Sequence, residues 1–75
     1  MMRLFVGKTC IPCKKLKEWL ATEGIEVPQV VADDNMDEAE ELGIKSLPTL
    51  VLDDGTLVKG SENIMTYFKG GNGDE

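Results

Sequence analysis

The spacing of hydrophobic residues changes along the chain, and each spacing predicts a different element. The largely apolar segment Arg3–Val6, which ends at Gly7, is typical of a short buried strand. From Ile11 to Glu23 the apolar positions recur at helical intervals, with Pro12 in the first turn and Gly24 as a C-terminal stop. The chain is therefore predicted to begin with a strand and an amphipathic helix.

A second strand and a second helix are predicted next. The segment Glu26–Val31 is typical of a strand, and Pro28 places it at the edge of a sheet. Asn35 followed by Glu38 matches a capping box, and Gly43 is a natural terminator, so we predict a short helix between them.

The last third of the chain predicts a hairpin and a final helix. Thr49–Leu52 and Thr56–Lys59 are apolar segments on either side of Asp54-Gly55, a strong hairpin signal. Ser61 is the expected N-cap of a helix that turns three residues inward, Ile64, Met65 and Phe68.

The predicted order β-α-β-α-β-β-α implies an α/β fold. A strand–helix–strand opening needs a parallel strand pair with a right-handed crossover, whereas the hairpin adds antiparallel strands. We expect a four-stranded mixed sheet with helices on its faces. With 75 residues the chain forms one domain, assigned to residues 1–69, and the glycine-rich residues 70–75 are expected to form a flexible tail.

The net charge of −6, from 14 acidic and 8 basic residues, argues against nucleic acid as the main partner. No segment approaches the roughly 20 apolar residues of a membrane span, and no secretory signal opens the sequence, so we expect a cytoplasmic protein. Half of the basic residues nevertheless lie close to the cysteines: Lys8, Lys14, Lys15 and Lys17. The acidic run Asp33–Glu41 is interpreted as a solvated helix face.

The chain has two cysteines, Cys10 and Cys13, at C-x-x-C spacing. A structural disulfide would close a very short loop and gain little from loop-closure entropy. The pair supplies half of a metal ligand set, and the chain contains no histidine, so a metal or iron–sulfur cluster would have to be shared between two subunits. Two unreactive core cysteines are a further alternative. A redox dithiol is favoured over these, because C-x-x-C beside a strand–helix–strand pattern is typical of redox proteins.

The predicted helix start would activate Cys10. Free N–H groups and the positive end of the helix dipole stabilise a thiolate there and lower the pKa of Cys10. Lys8 and Lys14 add positive charge nearby, whereas Cys13, one turn inside, is expected to be more buried and less reactive.

The arrangement of a strand, the motif CIPC, a helix, and then SLPT before a hairpin and a last helix resembles the thioredoxin superfamily. The compact form, over residues 2–69, is similar to small glutaredoxins and glutaredoxin-like thioredoxins. The resemblance implies a thioredoxin fold in which Cys10 is the nucleophile and Cys13 the resolving cysteine. It further implies that Pro48 is in cis and that the Leu47 backbone contacts an extended substrate segment.

Other positions match less closely. Gly60, Ser61 and Glu62 correspond to the helix start where glutaredoxins hold a glutathione carboxylate, although the same residues can simply cap the helix. Lys8 lies two residues before Cys10, where glutaredoxins usually carry a lysine three residues before, and it is kept as a candidate substrate-binding residue. Because the sequence lies between glutaredoxins and thioredoxins, the electron source is left open between glutathione and thioredoxin reductase.

We therefore expect a monomeric thiol–disulfide oxidoreductase and electron donor in cell redox homeostasis, with no bound cofactor or metal. It would reduce disulfides of partner proteins through a mixed-disulfide intermediate on Cys10, and ribonucleotide reductase is the usual partner in the family. Two alternatives remain: a glutathione-ligated iron–sulfur carrier, and a binding module that uses the fold without turnover.

Overall fold

The elements follow one another in the predicted order within residues 1–70, the part of the chain that the computed structural model describes. The strands are β1 Arg3–Val6, β2 Gln29–Val31, β3 Thr49–Val51 and β4 Leu57–Lys59, and the helices are α1 Ile11–Glu23, α2 Met36–Glu41 and α3 Ser61–Phe68. A short 3-10 turn, Ala32–Asp34, precedes α2 and was not predicted. No helix in these residues is long and apolar enough to span a membrane. The predicted tail lies outside the described residues apart from Gly70.

The four strands form one mixed sheet in the order β2-β1-β3-β4. Strand β1 pairs in parallel with β2 and antiparallel with β3, so it lies inside the sheet, with Leu4 opposite Leu50. Strand β2 is at the edge, as Pro28 predicts, although it begins at Gln29 rather than Glu26. Because β1 and β2 are parallel neighbours, their carboxyl ends, and the loops that follow them, lie side by side.

Alternate residues of β1 contribute to two hydrophobic clusters on opposite faces of the sheet. One face holds Leu4 and Val6 together with side chains from β3, α1 and α3: Leu50, Cys13, Leu16, Leu20 and Ile64. Phe5 turns to the other face, where it packs with Val51, Ala32 and Ala39 below α2. The period of two in the strand therefore places α1 and α3 on one side of the sheet and α2 on the other.

The predicted hairpin joins β3 and β4, but its turn is longer than a two-residue loop. The Gly55 N–H donates to Leu52 O at 2.9 Å, and Gly55 has φ of +90°, a conformation that suits glycine. The exposed Asp54 carboxylate accepts a hydrogen bond from the Thr56 N–H at 2.9 Å. This backbone hydrogen bond, with a smaller contribution from the Thr56 side chain, holds the pKa of Asp54 below its ordinary value of 3.8.

The predicted capping box at the start of α2 is wrong. Asn35 is the N-cap residue, but its side chain makes no capping hydrogen bond and instead donates from Nδ2 to Val31 O at 2.9 Å. The Glu38 carboxylate forms an ion pair with Arg3 rather than folding back on Asn35. The 3-10 turn places the Val31 carbonyl near Asn35, and Arg3 draws Glu38 away, so neither side chain caps the helix.

Ser61 is not the N-cap of α3 as predicted, because it is already the first helical residue. Gly60 takes the cap position with φ of +89° and no side-chain capping bond. Asn63 donates from Nδ2 to Lys59 O at 2.9 Å and so fixes the helix start from inside its first turn. Ile64 is fully buried, and Met65 and Phe68 pack against the same cluster, as predicted.

Candidate functional site

The two cysteines lie where β1 has ended and α1 begins. Cys10 is the N-cap residue of α1, with φ of −94° and ψ of 111°, and Cys13 is in the first helical turn. Their Cα atoms are 5.2 Å apart, and the two sulfur atoms are in disulfide contact. A separation of three residues across a helix start brings both side chains to the same face, so the pair can open and close without moving the helix.

The two sulfur atoms differ in their access to solvent. Cys10 is half-buried, whereas Cys13 is 0% exposed and belongs to the core cluster with Leu16, Leu50 and Ile64. An incoming disulfide can therefore reach Cys10 without rearrangement of the fold. The Cys13 sulfur is shielded from solvent and is in contact with the Cys10 sulfur.

The backbone around Cys10 favours negative charge on its sulfur. The Cys13 N–H donates to Cys10 Sγ at 3.2 Å, and the first turn of α1 contains no acidic residue. The positive end of the helix dipole acts on the same atom. In the reduced protein these groups stabilise a Cys10 thiolate, which is the nucleophilic form of cysteine.

The segment before β3 forms the opposite wall of the site. The Leu47–Pro48 peptide bond is cis, as the resemblance implied, and Pro48 is buried. Leu47 O lies 3.7 Å from Cys10 Sγ. The Thr49 hydroxyl donates to Ser46 O at 2.7 Å and ties this segment to the start of β3. The Leu47 backbone thus borders the reactive sulfur.

Gly7 allows this wall to approach the cysteine loop. A Cβ atom at this position would lie 3.0 Å from Leu47 Cδ1 and 3.3 Å from Cys10 Cβ, which is closer than ordinary van der Waals contact. A residue without a side chain at this point therefore lets the loop pack against Leu47.

Two acidic residues contact the cysteine loop, and the sequence did not indicate them. The exposed Asp33 carboxylate accepts a hydrogen bond from the Lys8 N–H at 3.1 Å, and Lys8 Nζ lies 3.2 Å from the Asp34 carboxylate. The positive charge of Lys8 is therefore partly neutralised by Asp34 rather than directed only at Cys10. A signal did exist, because parallel neighbours such as β1 and β2 bring the loops at their carboxyl ends together.

The three predicted residues around the start of α3 are connected to the site only through the Leu47–Pro48 segment. The Gly60 N–H donates to Pro48 O at 3.0 Å, which puts this helix start beside the Leu47–Pro48 segment. Ser61 and Glu62 are the first two residues of α3, whose N–H groups have no partner inside the helix. No hydrogen bond within residues 1–70 joins them to the cysteines.

The structure therefore brings together Cys10, Cys13, Lys8, Leu47 and Pro48, with Gly60 attached through Pro48. Within residues 1–70, no group of three or more His, Cys, Asp or Glu side chains is arranged to hold a metal ion. The arrangement of these residues is suited to exchange between a thiolate and a disulfide.

Solved structures of thioredoxins and glutaredoxins have the same fold as this chain. Thioredoxin NaTrxh from Nicotiana alata superposes with a TM-score of 0.67 at 23% identity, over 91% of this chain and 67% of that one. A buckwheat glutaredoxin in complex with glutathione gives 0.66 at 16% identity, over 92% and 69%. Glutaredoxin from Brucella melitensis gives 0.64 at 19% identity, over 93% and 79%. No family model and no curated protein matches the sequence.

These identities are low, so the similarity concerns the arrangement of the chain. It shows the fold and not the reaction, because one fold can carry many functions. The order of elements, the mixed sheet and the superpositions show that this chain has the thioredoxin fold, with its two cysteines in disulfide contact at the start of α1.

Proposed function

We propose that this protein reduces disulfides of partner proteins by thiol–disulfide exchange through Cys10 and Cys13. The observation that carries the proposal is the difference between the two sulfur atoms of one disulfide: Cys10 is half-buried beside Leu47, and Cys13 is 0% exposed in the core. A structural disulfide needs no such asymmetry, whereas a nucleophile with a resolving partner does.

In the first step, the Cys10 thiolate of the reduced protein attacks one sulfur of the partner's disulfide. A bond forms between Cys10 Sγ and that sulfur, the partner's disulfide breaks, and its second sulfur leaves as a thiolate that takes up a proton. The Cys13 N–H, 3.2 Å from Cys10 Sγ, and the start of α1 stabilise the attacking thiolate.

In the second step, Cys13 loses its proton and attacks Cys10 Sγ. The Cys10–Cys13 disulfide forms, the mixed disulfide breaks, and the partner leaves with both of its cysteines reduced. Two electrons have then passed to the partner, which takes up two protons, one balancing the proton lost by Cys13 and one from the solvent. The 5.2 Å Cα separation already allows disulfide contact, so this step needs no large change in the backbone.

The walls of the site would hold the partner during exchange. Leu47 O lies beside Cys10 Sγ, so an extended partner segment can pair with the Leu47 backbone while Pro48 fixes the wall behind it. Lys8 borders the other side of the cysteine loop. Ser61 and Glu62 offer backbone N–H groups at the start of α3, where a glutathione carboxylate would bind, whereas the Gly60 N–H is already bonded to Pro48 O and positions this helix start.

An external reductant must reopen the disulfide after each cycle, and glutathione and thioredoxin reductase are the two candidates. The buckwheat glutaredoxin of similar fold binds glutathione in its complex, which supports the first. The thioredoxin NaTrxh has an equally similar fold, which supports the second. We further propose a cytoplasmic monomer whose partners form a disulfide during turnover, with ribonucleotide reductase as one candidate.

The test is NADPH-coupled reduction of a protein disulfide by the purified protein, with glutathione and glutathione reductase in one reaction and thioredoxin reductase in another. We expect turnover in one of them and none with a Cys10→Ser variant. Turnover with glutathione would assign the start of α3 as its carboxylate site. Absence of turnover in both would overturn the proposal in favour of an iron–sulfur carrier, which would purify as a coloured dimer, or a binding module.

A further inference from the structure

We propose that the preferred substrates carry acidic residues beside the disulfide that Cys10 attacks, and that a basic cleft next to Cys10 binds those residues. This inference rests on the proposed function, because it concerns the partner of the same exchange. The cleft adds a contact on the α1 side of Cys10, away from the Leu47–Pro48 wall.

The basic cleft is lined by Lys8, Lys14 and Lys17 together with Cys10 and Ile11. Its volume is about 210 Å³. Pockets for drug-sized small molecules are larger, at about 300–1,000 Å³. The space therefore suits one or two side chains of a polypeptide that is already attached to Cys10 by its cysteine.

Two of the three lysines are not held in an ion pair with an acidic side chain. Within residues 1–70, Lys14 and Lys17 are exposed and form no ion pair, and the first turn of α1 has no acidic residue. Lys8 is paired with Asp34 at the rim of the cleft. The chain as a whole carries a net charge of −6, so this local excess of positive charge is opposite in sign to the rest of the molecule.

The opposite charge lies across the cysteine loop. Asp33 and Asp34 contact Lys8 from the 3-10 turn that follows β2, and Asp37 lies in the first turn of α2. A partner's acidic side chain would be repelled on that side and attracted on the α1 side. Charge complementarity of this kind steers the encounter and fixes the orientation of the partner.

Ile11 gives the same surface an apolar contact. Its side chain is 69% exposed at the mouth of the cleft, directly beside Cys10. The methylene groups of a partner's glutamate can pack on Ile11 while its carboxylate reaches Lys14 or Lys17. We therefore expect glutamate to be preferred over glutamine of nearly the same shape, and lysine to be disfavoured.

The test uses the reduced full-length protein and three synthetic peptides with one internal disulfide, whose flanking positions hold glutamate, glutamine or lysine. Acid-quenched samples separated by chromatography give the second-order rate constant for oxidation of the protein by each peptide. Since an exposed ion pair changes a rate or affinity by about 1.4-fold to fivefold, two contacts predict about a twofold to 25-fold advantage of glutamate over glutamine. The advantage should approach one in about 1 M salt, where the Debye length is about 3 Å.

Matched variants locate the effect. We expect Lys17→Glu and Lys14→Glu each to lower the glutamate-to-glutamine rate ratio below that of the unmodified protein. Lys15→Glu is the control, because it makes the same charge change at an exposed position of the same helix but lies outside the lining of the cleft. Using a ratio of two peptides removes any effect of these substitutions on the Cys10 thiolate itself.

Equal rate constants for the three peptides, or an equal loss of preference in Lys15→Glu and Lys17→Glu, would overturn the inference and leave the proposed function intact. Absence of exchange with all three peptides would overturn the proposed function, and the inference with it.

Discussion

The difference in burial between the two cysteines predicts a large difference in their reactivity in the reduced protein. The experiment alkylates two single-cysteine variants with iodoacetamide. Cys13→Ser keeps only Cys10, and Cys10→Ser keeps only Cys13. Cys10 is half-buried at the surface, whereas Cys13 is 0% exposed among Leu16, Leu50 and Ile64. We expect Cys10 to react much faster.

The magnitude follows from what Cys13 must do before it can react. Its side chain has to leave the core, and exposing a buried side chain of this kind costs about 2 kcal/mol, which lowers the reactive population about 30-fold. Burial also disfavours the thiolate of Cys13, whereas the start of α1 favours that of Cys10 by about 0.3–1 kcal/mol, or up to about fivefold. Together these terms predict a ratio of about 50-fold to 150-fold.

The assay follows each alkylation by mass spectrometry at one pH, with the same variants in denaturant as the control. The unfolded chains should react at similar rates, because both cysteines are then exposed. A ratio below about fivefold in the folded proteins, or faster reaction of Cys13, would refute the assignment of Cys10 as the nucleophile.

Three further predictions concern the loop, the hairpin and the core. Asp33→Ala removes the acceptor of the Lys8 N–H, so hydrogen exchange of that amide should become about twofold to tenfold faster. Asp33→Asn keeps an acceptor and should change the exchange rate less. Equal effects of the two substitutions would contradict the contact. The pKa of Asp54 is lowered in the folded state, so the unmodified protein should have a higher free energy of unfolding than Asp54→Asn. This difference should be constant above about pH 5 and should disappear as the pH falls through the folded pKa. Urea titrations that show no such loss would contradict the prediction. Ile64→Ala should lower the free energy of unfolding by about 2–5 kcal/mol in urea denaturation, and a loss below about 1 kcal/mol would contradict full burial.

Local signals in the sequence were sufficient for β1 and α1. Both elements have the predicted bounds, because the signals that limit them act within a few residues: Gly7 after the strand, Pro12 in the first turn, and Gly24 with φ of +72° at the helix end. The cysteine pair depends on the same short segment, so its position at the helix start could be predicted from the sequence.

Features that depend on distant parts of the chain were not predicted. Glu38 matches a capping box with Asn35, yet its carboxylate pairs with Arg3, 35 positions away, once the sheet has formed. The Asp33 contact to the cysteine loop joins residues separated by 25 positions, and only the parallel pairing of β1 with β2 brings them together. Where a polar side chain has several possible partners, the tertiary structure decides which one it contacts.

Trapping the mixed disulfide shows directly whether Cys10 attacks and Cys13 resolves. Reduced Cys13→Ser and Cys10→Ser proteins are each mixed with a disulfide peptide and quenched with acid. Mass spectrometry then measures the mass of each protein and of any peptide adduct. We expect Cys13→Ser to accumulate an adduct of one peptide on Cys10, Cys10→Ser to form almost none, and the unmodified protein to pass quickly to its internal disulfide. An adduct that forms equally on both variants, or only on Cys13, would contradict these roles.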